Sequence, residues 1–472
     1  MYIRQKNILF LALFSILFFG IIFLNCSNNK ADGMVPKKSK VYHRIKRAVD
    51  DIYIIDSHSH LRTEEAFLER KRDVFEHMLG TDIQNDLMSS GMSPEDVGYV
   101  INPENSLEER WKKFYPYWKN IKNAGDFKNW PIALRDLFGI DDFNENTYKE
   151  VNKKLIESYK KGWFRYVLKE KGRIDLTITD TRLRSDPNLK NINGEFFLRV
   201  ERFDNFVTVN KNNIKSIESS TNISINSLDD LIKALDKAIR KGVEEEHVVA
   251  IKSFLAYSRI LRFDDVLKSE AEKIFNKKFF TNRTVTDEES KKLEDFIMHQ
   301  VIQHAIKYDI PIAFHTGWQS GTGNYLTNSN PTHLTNLFLK YKEARFDIFH
   351  GAYPYMGELG ILAKNFKNVY INMNNMYSTS WLSTQMYIEE WLDIVPVNKI
   401  IAFGGDDGTV EGIYAGSKVA RRLLTEVLAK KVEEGRFSEE EAIEIAQKFL
   451  RDNCLKLYKL KKVGDRFVRT LD

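Results

Sequence analysis

Eight short apolar runs recur between residues 52 and 403, and their alternation with helix-like segments restricts the fold more than any other feature. The first, Ile52-Tyr-Ile-Ile, leads into Asp56-Ser-His58-Ser-His60. The others are Ile174–Thr179, Phe196–Phe203, Val248–Phe254, Ile310–Phe314, Phe346–Phe349, Val369–Met373 and Ile400–Phe403. Amphipathic segments such as Ser227–Lys241, Asp287–Tyr308, Thr332–Lys342 and Ser417–Glu434 separate most of them. Strands alternating with helices predict parallel βαβ units. The count suits an α/β chain folded as a (β/α)8 TIM barrel, with chemistry at the C-terminal ends of the strands. A doubly wound open sheet is the alternative, but no Gly-rich phosphate loop follows any run.

Residues 62–170 are too long for a simple βα connection. Segments Ser106–Tyr115 and Asn146–Lys161 have helical spacing, Pro116 is placed to end or kink the first, and no strand is evident. This stretch is expected to be a helical insertion covering the strand ends. The barrel then spans 50–465.

The formal charge of +5 is a property of the N-terminus. Residues 1–50 hold nine Lys/Arg against two Asp/Glu, leaving 62 basic against 64 acidic residues, so the body offers no case for nucleic-acid binding. Arg4 and Lys6 precede an uncharged run from Ile8 to Leu24 and then Cys26, which predicts an export segment over 1–29. The pattern resembles a bacterial lipoprotein signal with lipidation at Cys26, although Asn25 departs from the small residue such signals prefer. An uncleaved signal anchor is the competing reading. Either places the body on the outer side of a bacterial membrane, in the periplasm or at the cell surface. Residues 30–49 read as a basic linker.

The strand ends carry the chemistry. Residues two apart on a strand point the same way, so His58 and His60 can both reach one metal ion. Lys252 closes an apolar run, where an ammonium is costly to bury without a partner. His315 and His350 each follow an apolar run directly and precede a small residue. The last run ends Gly404-Gly405-Asp406-Asp407, where the glycines let backbones approach, Asp406 is placed to ligate metal and move a proton, and Asp407 is placed to cap the next helix.

The order His-x-His, Lys, His, His, Asp resembles the amidohydrolase superfamily. It is closest to the amidohydrolase-2 branch, and to the domains of that branch fused to glutamine-synthetase-like domains in fungi and plants. The likeness is carried by Ile251-Lys252-Ser253-Phe-Leu-Ala256-Tyr257-Ser-Arg259, Phe314-His315-Thr316-Gly317-Trp318, His350-Gly-Ala-Tyr353-Pro354, Asn368-Val-Tyr-Ile-Asn-Met and the closing Asp452–Tyr458. The resemblance implies that His58, His60 and Asp406 bind one divalent cation. A carboxylated Lys252 would bridge to a second held by His315 and His350, which is the favoured expectation; with one cation, His350 is instead catalytic. Zinc is the default for imidazole and carboxylate ligands, and manganese or nickel would fit.

Three functions follow. The leading expectation is an exported, membrane-anchored hydrolase in which metal-activated water attacks an amide, lactone or ester of a small molecule, with Asp406 handling the proton. The same site on a decarboxylase or uronate isomerase is the second, and a non-catalytic ligand-binding lipoprotein the third. Candidate substrate contacts are Arg199, Glu201, Tyr257, Arg259, Trp318 and Tyr353. Partners are then a small molecule and a membrane, with a homo-oligomer also compatible.

Overall fold

The computed structural model describes residues 38–180, 192–281 and 283–470. The run Ile8–Leu24 and Cys26 lie outside them. Among the described residues, no helix is long and apolar enough to cross a membrane.

The chain enters through α1 (Lys40–Asp51), capped by the Ser39 side chain accepting from the Tyr42 N–H. This corrects the expectation of a linker. Its charges mask a stripe of Tyr42, Ile45 and Val49 at helical spacing, all buried. Eight parallel strands follow: β1 (Ile54–Ser59), β2 (Ile174–Thr179), β3 (Phe197–Arg202), β4 (Val248–Ser253), β5 (Ile312–Phe314), β6 (Phe346–Ile348), β7 (Val369–Asn372) and β8 (Ile400–Ile401). Each pairs with the next in sequence. The ring closes between first and last, where Ser57 N–H donates to Phe403 O (3.2 Å), His60 N–H to Asp407 O (2.8 Å) and Asp406 N–H to His58 O (2.8 Å). This is the (β/α)8 barrel.

Alternation divides each strand between two cores. Ile55, Leu176, Ile178, Leu198, Val200, Val249 and Ile401 fill the interior, whereas Ile54, Ile174 and Phe197 pack outward against helices. The N-terminal end of the barrel is plugged by a helix and an antiparallel hairpin at the end of the chain. Its strands are β9 (Leu460–Val463) and β10 (Arg466–Arg469). The hairpin was missed in the sequence because only Leu460 and Phe467 in its strands are buried. Phe467 joins the interior core, and its N–H donates to Gly194 O (2.8 Å) just before β3.

The 62–170 stretch is helical, as expected, and among its described residues contains no strand. Its principal helices are α2 (Val74–Met78), α3 (Thr81–Ser89), α4 (Leu107–Ile121) and α5 (Tyr148–Ser158). The expected break at Pro116 does not occur, since α4 runs through it to Ile121. Trp111, on α4, stacks on Tyr148 (4.5 Å between centroids) and packs with Phe114 and Phe143. The insertion docks on α6 (Val410–Glu433), which follows β8. There Glu411 is buried and receives His77 Nε2 (3.0 Å) and the Trp163 indole N–H (2.7 Å). This seats the insertion over the C-terminal ends of the strands.

Phe467→Ala should lower stability by about 3–5 kcal/mol, as emptying a buried aromatic site does. A denaturant titration reads this as a lower midpoint. Metal binding should be unaffected, because the plug and the strand C-terminal ends lie at opposite mouths.

Candidate metal centre

His58 Nε2 and His60 Nε2 each lie 3.1 Å from Asp406 Oδ1. Two local devices produce this. A register shift in the β1–β2 pairing between Asp56 and Ser59 turns both imidazoles toward the barrel mouth. Asp406 has φ +52°, a left-handed backbone that costs a non-glycine residue energy and is held by its N–H bond to His58 O. A Cβ on Gly404 would meet Asn374 Cβ at 2.5 Å, and one on Gly405 would meet Ser59 Oγ at 2.9 Å. The close approach required of these glycines is therefore real.

The imidazoles are oriented from behind. His60 Nδ1 donates to Asp180 O (2.5 Å), so its Nε2 carries a lone pair. His58 is wedged by Phe349 (4.7 Å) and His60 (4.9 Å). Burial lowers His58 to about 4. Burial opposes ionisation of Asp406 too, but His58, His60 and His350 outweigh it and hold the carboxyl well below its usual range. Burial also works against protonation of His60, and contact with Asp406 overcomes it and raises its pKa. Two nitrogens and a carboxylate oxygen converge, and they fit one divalent cation: bonds of about 2.0–2.2 Å at ordinary angles put donors roughly 3 Å apart. Among the described residues, these three form the one such group of His, Cys, Asp and Glu.

Behind them runs a second chain of imidazoles. His315 Nε2 donates to Trp318 O (2.9 Å), which can only accept, so His315 Nδ1 (2.8 Å away) accepts from His350 Nε2. His350 Nδ1 is then a bare lone pair, 3.6 Å from Asp406 Oδ2. Burial pushes His350 down to about 3 and His315 well below the ordinary range. His350 also has a left-handed backbone, φ +64°, with its N–H given to Asn374 Oδ1 (3.1 Å). Lys252 Nζ sits 3.6 Å over the Phe349 ring with no hydrogen-bond partner among the described residues, and burial pushes the amine down to about 7.

A cavity of about 610 Å³ opens above this group. Of the expected substrate contacts, Tyr257 lines it, stacked on Phe254 (3.9 Å). Arg199 and Glu201 do not. Leu198 and Val200 point inward, so Arg199 and Glu201 point outward and pair with each other, and Arg199 also meets Glu246 (3.1 Å). The inward residue is Arg202, whose guanidinium grips Asp180 (2.6 Å). Arg259 is held by Glu294 (2.8 Å) and Asp295, and neither Trp318 nor Tyr353 lines the cavity. Asp407 supports the next helix indirectly: it accepts from the N–H and hydroxyl of Thr409, and Thr409 is the cap. Sequence reasoning missed Asp180, Arg202 and the insertion's Asp82 and Asp126, which also line the cavity. Strand alternation marks Arg202, and the position directly after a run marks Asp180. The two insertion residues carry no local signal.

A sequence model of the glucuronate isomerase family matches residues 35–329, more than half of the chain. The chain belongs to that family. The match overturns the expectation of a hydrolase: the family is one of isomerases. Over 277 residues the chain is 28% identical to a uronate isomerase of Caldanaerobacter subterraneus, covering 55% of this chain and 56% of that protein. Over 180 residues it is 28% identical to protein fluG of Emericella nidulans, covering 37% of this chain and 21% of that one. The chain thus spans about half and about a fifth of these relatives. The crystal structure of a uronate isomerase from Thermotoga maritima shares the fold with a TM-score of 0.72 at 17% identity, over 89% of this chain and 98% of that one. The matched range includes the C-terminal ends of β1 to β5, and with them His58, His60, Lys252 and His315; His350 and Asp406 lie beyond it.

Folding depresses the Lys252 amine, so the unfolded chain binds more protons between pH 7 and 10.5 and stability rises with pH through that window. In metal-free protein, Lys252→Met should therefore stabilise by roughly 2–4 kcal/mol near neutral pH. The gain should shrink as pH approaches 10.5, which thermal melts across that range will read.

Proposed function

We propose that the chain is a metal-dependent sugar-acid isomerase that interconverts the aldose and ketose forms of a hexuronate. The observation that carries this reading is the family match over residues 35–329. The site's chemistry agrees with it. Aldose–ketose conversion moves one hydrogen from C2 to C1 and one proton from the C2 hydroxyl to the C1 oxygen, so the carbonyl passes from C1 to C2 with no net oxidation. It needs a carbonyl held and polarised, and groups that take and return a proton.

His58, His60 and Asp406 would hold the cation, whose contribution when bound is Lewis-acid polarisation of a substrate oxygen. Asp406 is anionic at neutral pH and keeps Oδ2 turned toward His350. His350 presents a bare Nδ1 into the same space, backed by the His315 and Trp318 hydrogen bonds that fix its tautomer. We assign His350 and Asp406 to proton transfer at the substrate, with Asp406 also a ligand. Arg202, pinned by Asp180, and Arg62 give the cavity a cationic wall suited to a carboxylate.

One observation favours a second metal: Lys252 Nζ is buried, partnerless among the described residues and depressed to about 7, the state in which an amine adds carbon dioxide. A carboxylated Lys252 would then bridge to a second cation held by His315 and His350, the arrangement implied by resemblance to amidohydrolase-superfamily members that keep this lysine. Metal per chain separates the two: Lys252→Ala leaves stoichiometry unchanged in the one-cation reading and lowers it in the other.

The test of function is turnover of D-glucuronate to its ketose by metal-loaded protein. Chelation should abolish it. Asp406→Asn should lower kcat by about 10²–10⁴-fold, the scale of a lost proton-transfer group. Turnover of amides and esters but no uronate would sink the proposal.

A further inference from the structure

The cavity's charge is divided. Arg62, after β1, and Arg202, at the end of β3, line one wall, whereas Asp82 and Asp126 bring carboxyls from the insertion, beside Asp407. Ser320, in the loop after β5, lines the cavity as well. Asp82 Oδ1 and Ser320 Oγ are buried in this wall without a hydrogen bond of ordinary geometry among the described residues, and the Ser320 side chain is near enough to Asp82 to lower its carboxyl pKa, so an entering hydroxyl would bond to both. Beside them the Tyr257 hydroxyl accepts from the Ser320 N–H (2.9 Å), which leaves its own hydrogen to donate. Buried polar oxygens are rarely left unbonded, and those that face a cavity are satisfied by what enters it.

We propose that Asp82 and Ser320 form a hydroxyl-recognition subsite, which holds the polyol section of the substrate while the His58–His60–Asp406 group holds its reacting end. The polyol's identity rests on the isomerase reading. An open-chain hexuronate offers a carbonyl at one end, a carboxylate at the other and hydroxyls between. The carboxylate is repelled by Asp82 and drawn to Arg62 and Arg202, so the hydroxyls are the groups left for the insertion's side; Asp126, its carboxyl pushed well up by burial, adds no comparable charge. The insertion is then a specificity element: it adds an acceptor to those at the strand ends. Burial raises the Asp82 carboxyl to about 6, so it is chiefly an acceptor at neutral pH.

Asp82 also sits in the first turn of α3, where a carboxylate favours the helix, so a purely structural role must be separated. The experiment uses the full metal-loaded chain and D-glucuronate, with steady-state kinetics, calorimetric binding, melting temperature and metal content for Asp82→Ala, Asp82→Asn and Ser320→Ala. Asp82→Ala should raise KM and weaken binding by about 10–100-fold, falling on KM more than kcat, whereas Asp82→Asn, which keeps an acceptor oxygen in place, should recover most of the loss. Ser320→Ala should move KM in the same direction by a smaller factor. Turnover indifferent to Asp82 overturns the subsite and keeps the isomerase. Glucuronate binding that depends on Asp82 without turnover sinks the isomerase and keeps the subsite. Neither binding nor turnover sinks both. A loss that asparagine does not recover, matched by a lower melting temperature, assigns Asp82 to the helix and overturns the subsite.

Discussion

The meeting of two imidazoles with one carboxylate oxygen, His58 and His60 on Asp406, governs both the chemistry and the closure of this barrel. The same residues carry the backbone bonds that join the first strand to the last, His60 N–H to Asp407 O and Asp406 N–H to His58 O. Closing the sheet and bringing these three side chains together are achieved by the same residues. The geometry is held at a cost, in the left-handed backbone of Asp406 and His350 and in the burial of imidazoles whose charged form is disfavoured there. Such departures are tolerated because the surrounding core is large and the N-terminal mouth is closed by an apolar plug.

The fold was legible because both of its periods are written plainly. Each expected strand is observed, β1 running on through His58 to Ser59, β2 as expected and the others shortened by one or two residues at an end, because apolar runs in a parallel barrel are buried on both faces. His58, His60, His315, His350 and Asp406 could be found because each sits at the end of such a run. Alternation within β3 was not used, and the outward pair Arg199 and Glu201 was chosen over the inward Arg202. The helix at Lys40–Asp51 was hidden by its charge, although three buried side chains at helical spacing define it.

Function was less legible than the site. A His-x-His with a distant Asp serves hydrolysis and isomerisation alike, because a polarised oxygen and a mobile proton are needed in both. What separates them is the shape and lining of the cavity, and that lining comes partly from the insertion. Asp82 and Asp126 reach the site because contacts such as His77 to Glu411 and Asn129 to Ser378 dock the insertion above the strands. No local sequence pattern encodes that approach.

Anomalous diffraction at the metal edge, from crystals grown without chelator, tests the central claim most directly. The account predicts a peak bonded to His58 Nε2, His60 Nε2 and a carboxylate oxygen of Asp406, at about 2.0–2.2 Å from each. An active preparation whose cation lies away from these three side chains, or that carries none, would contradict it.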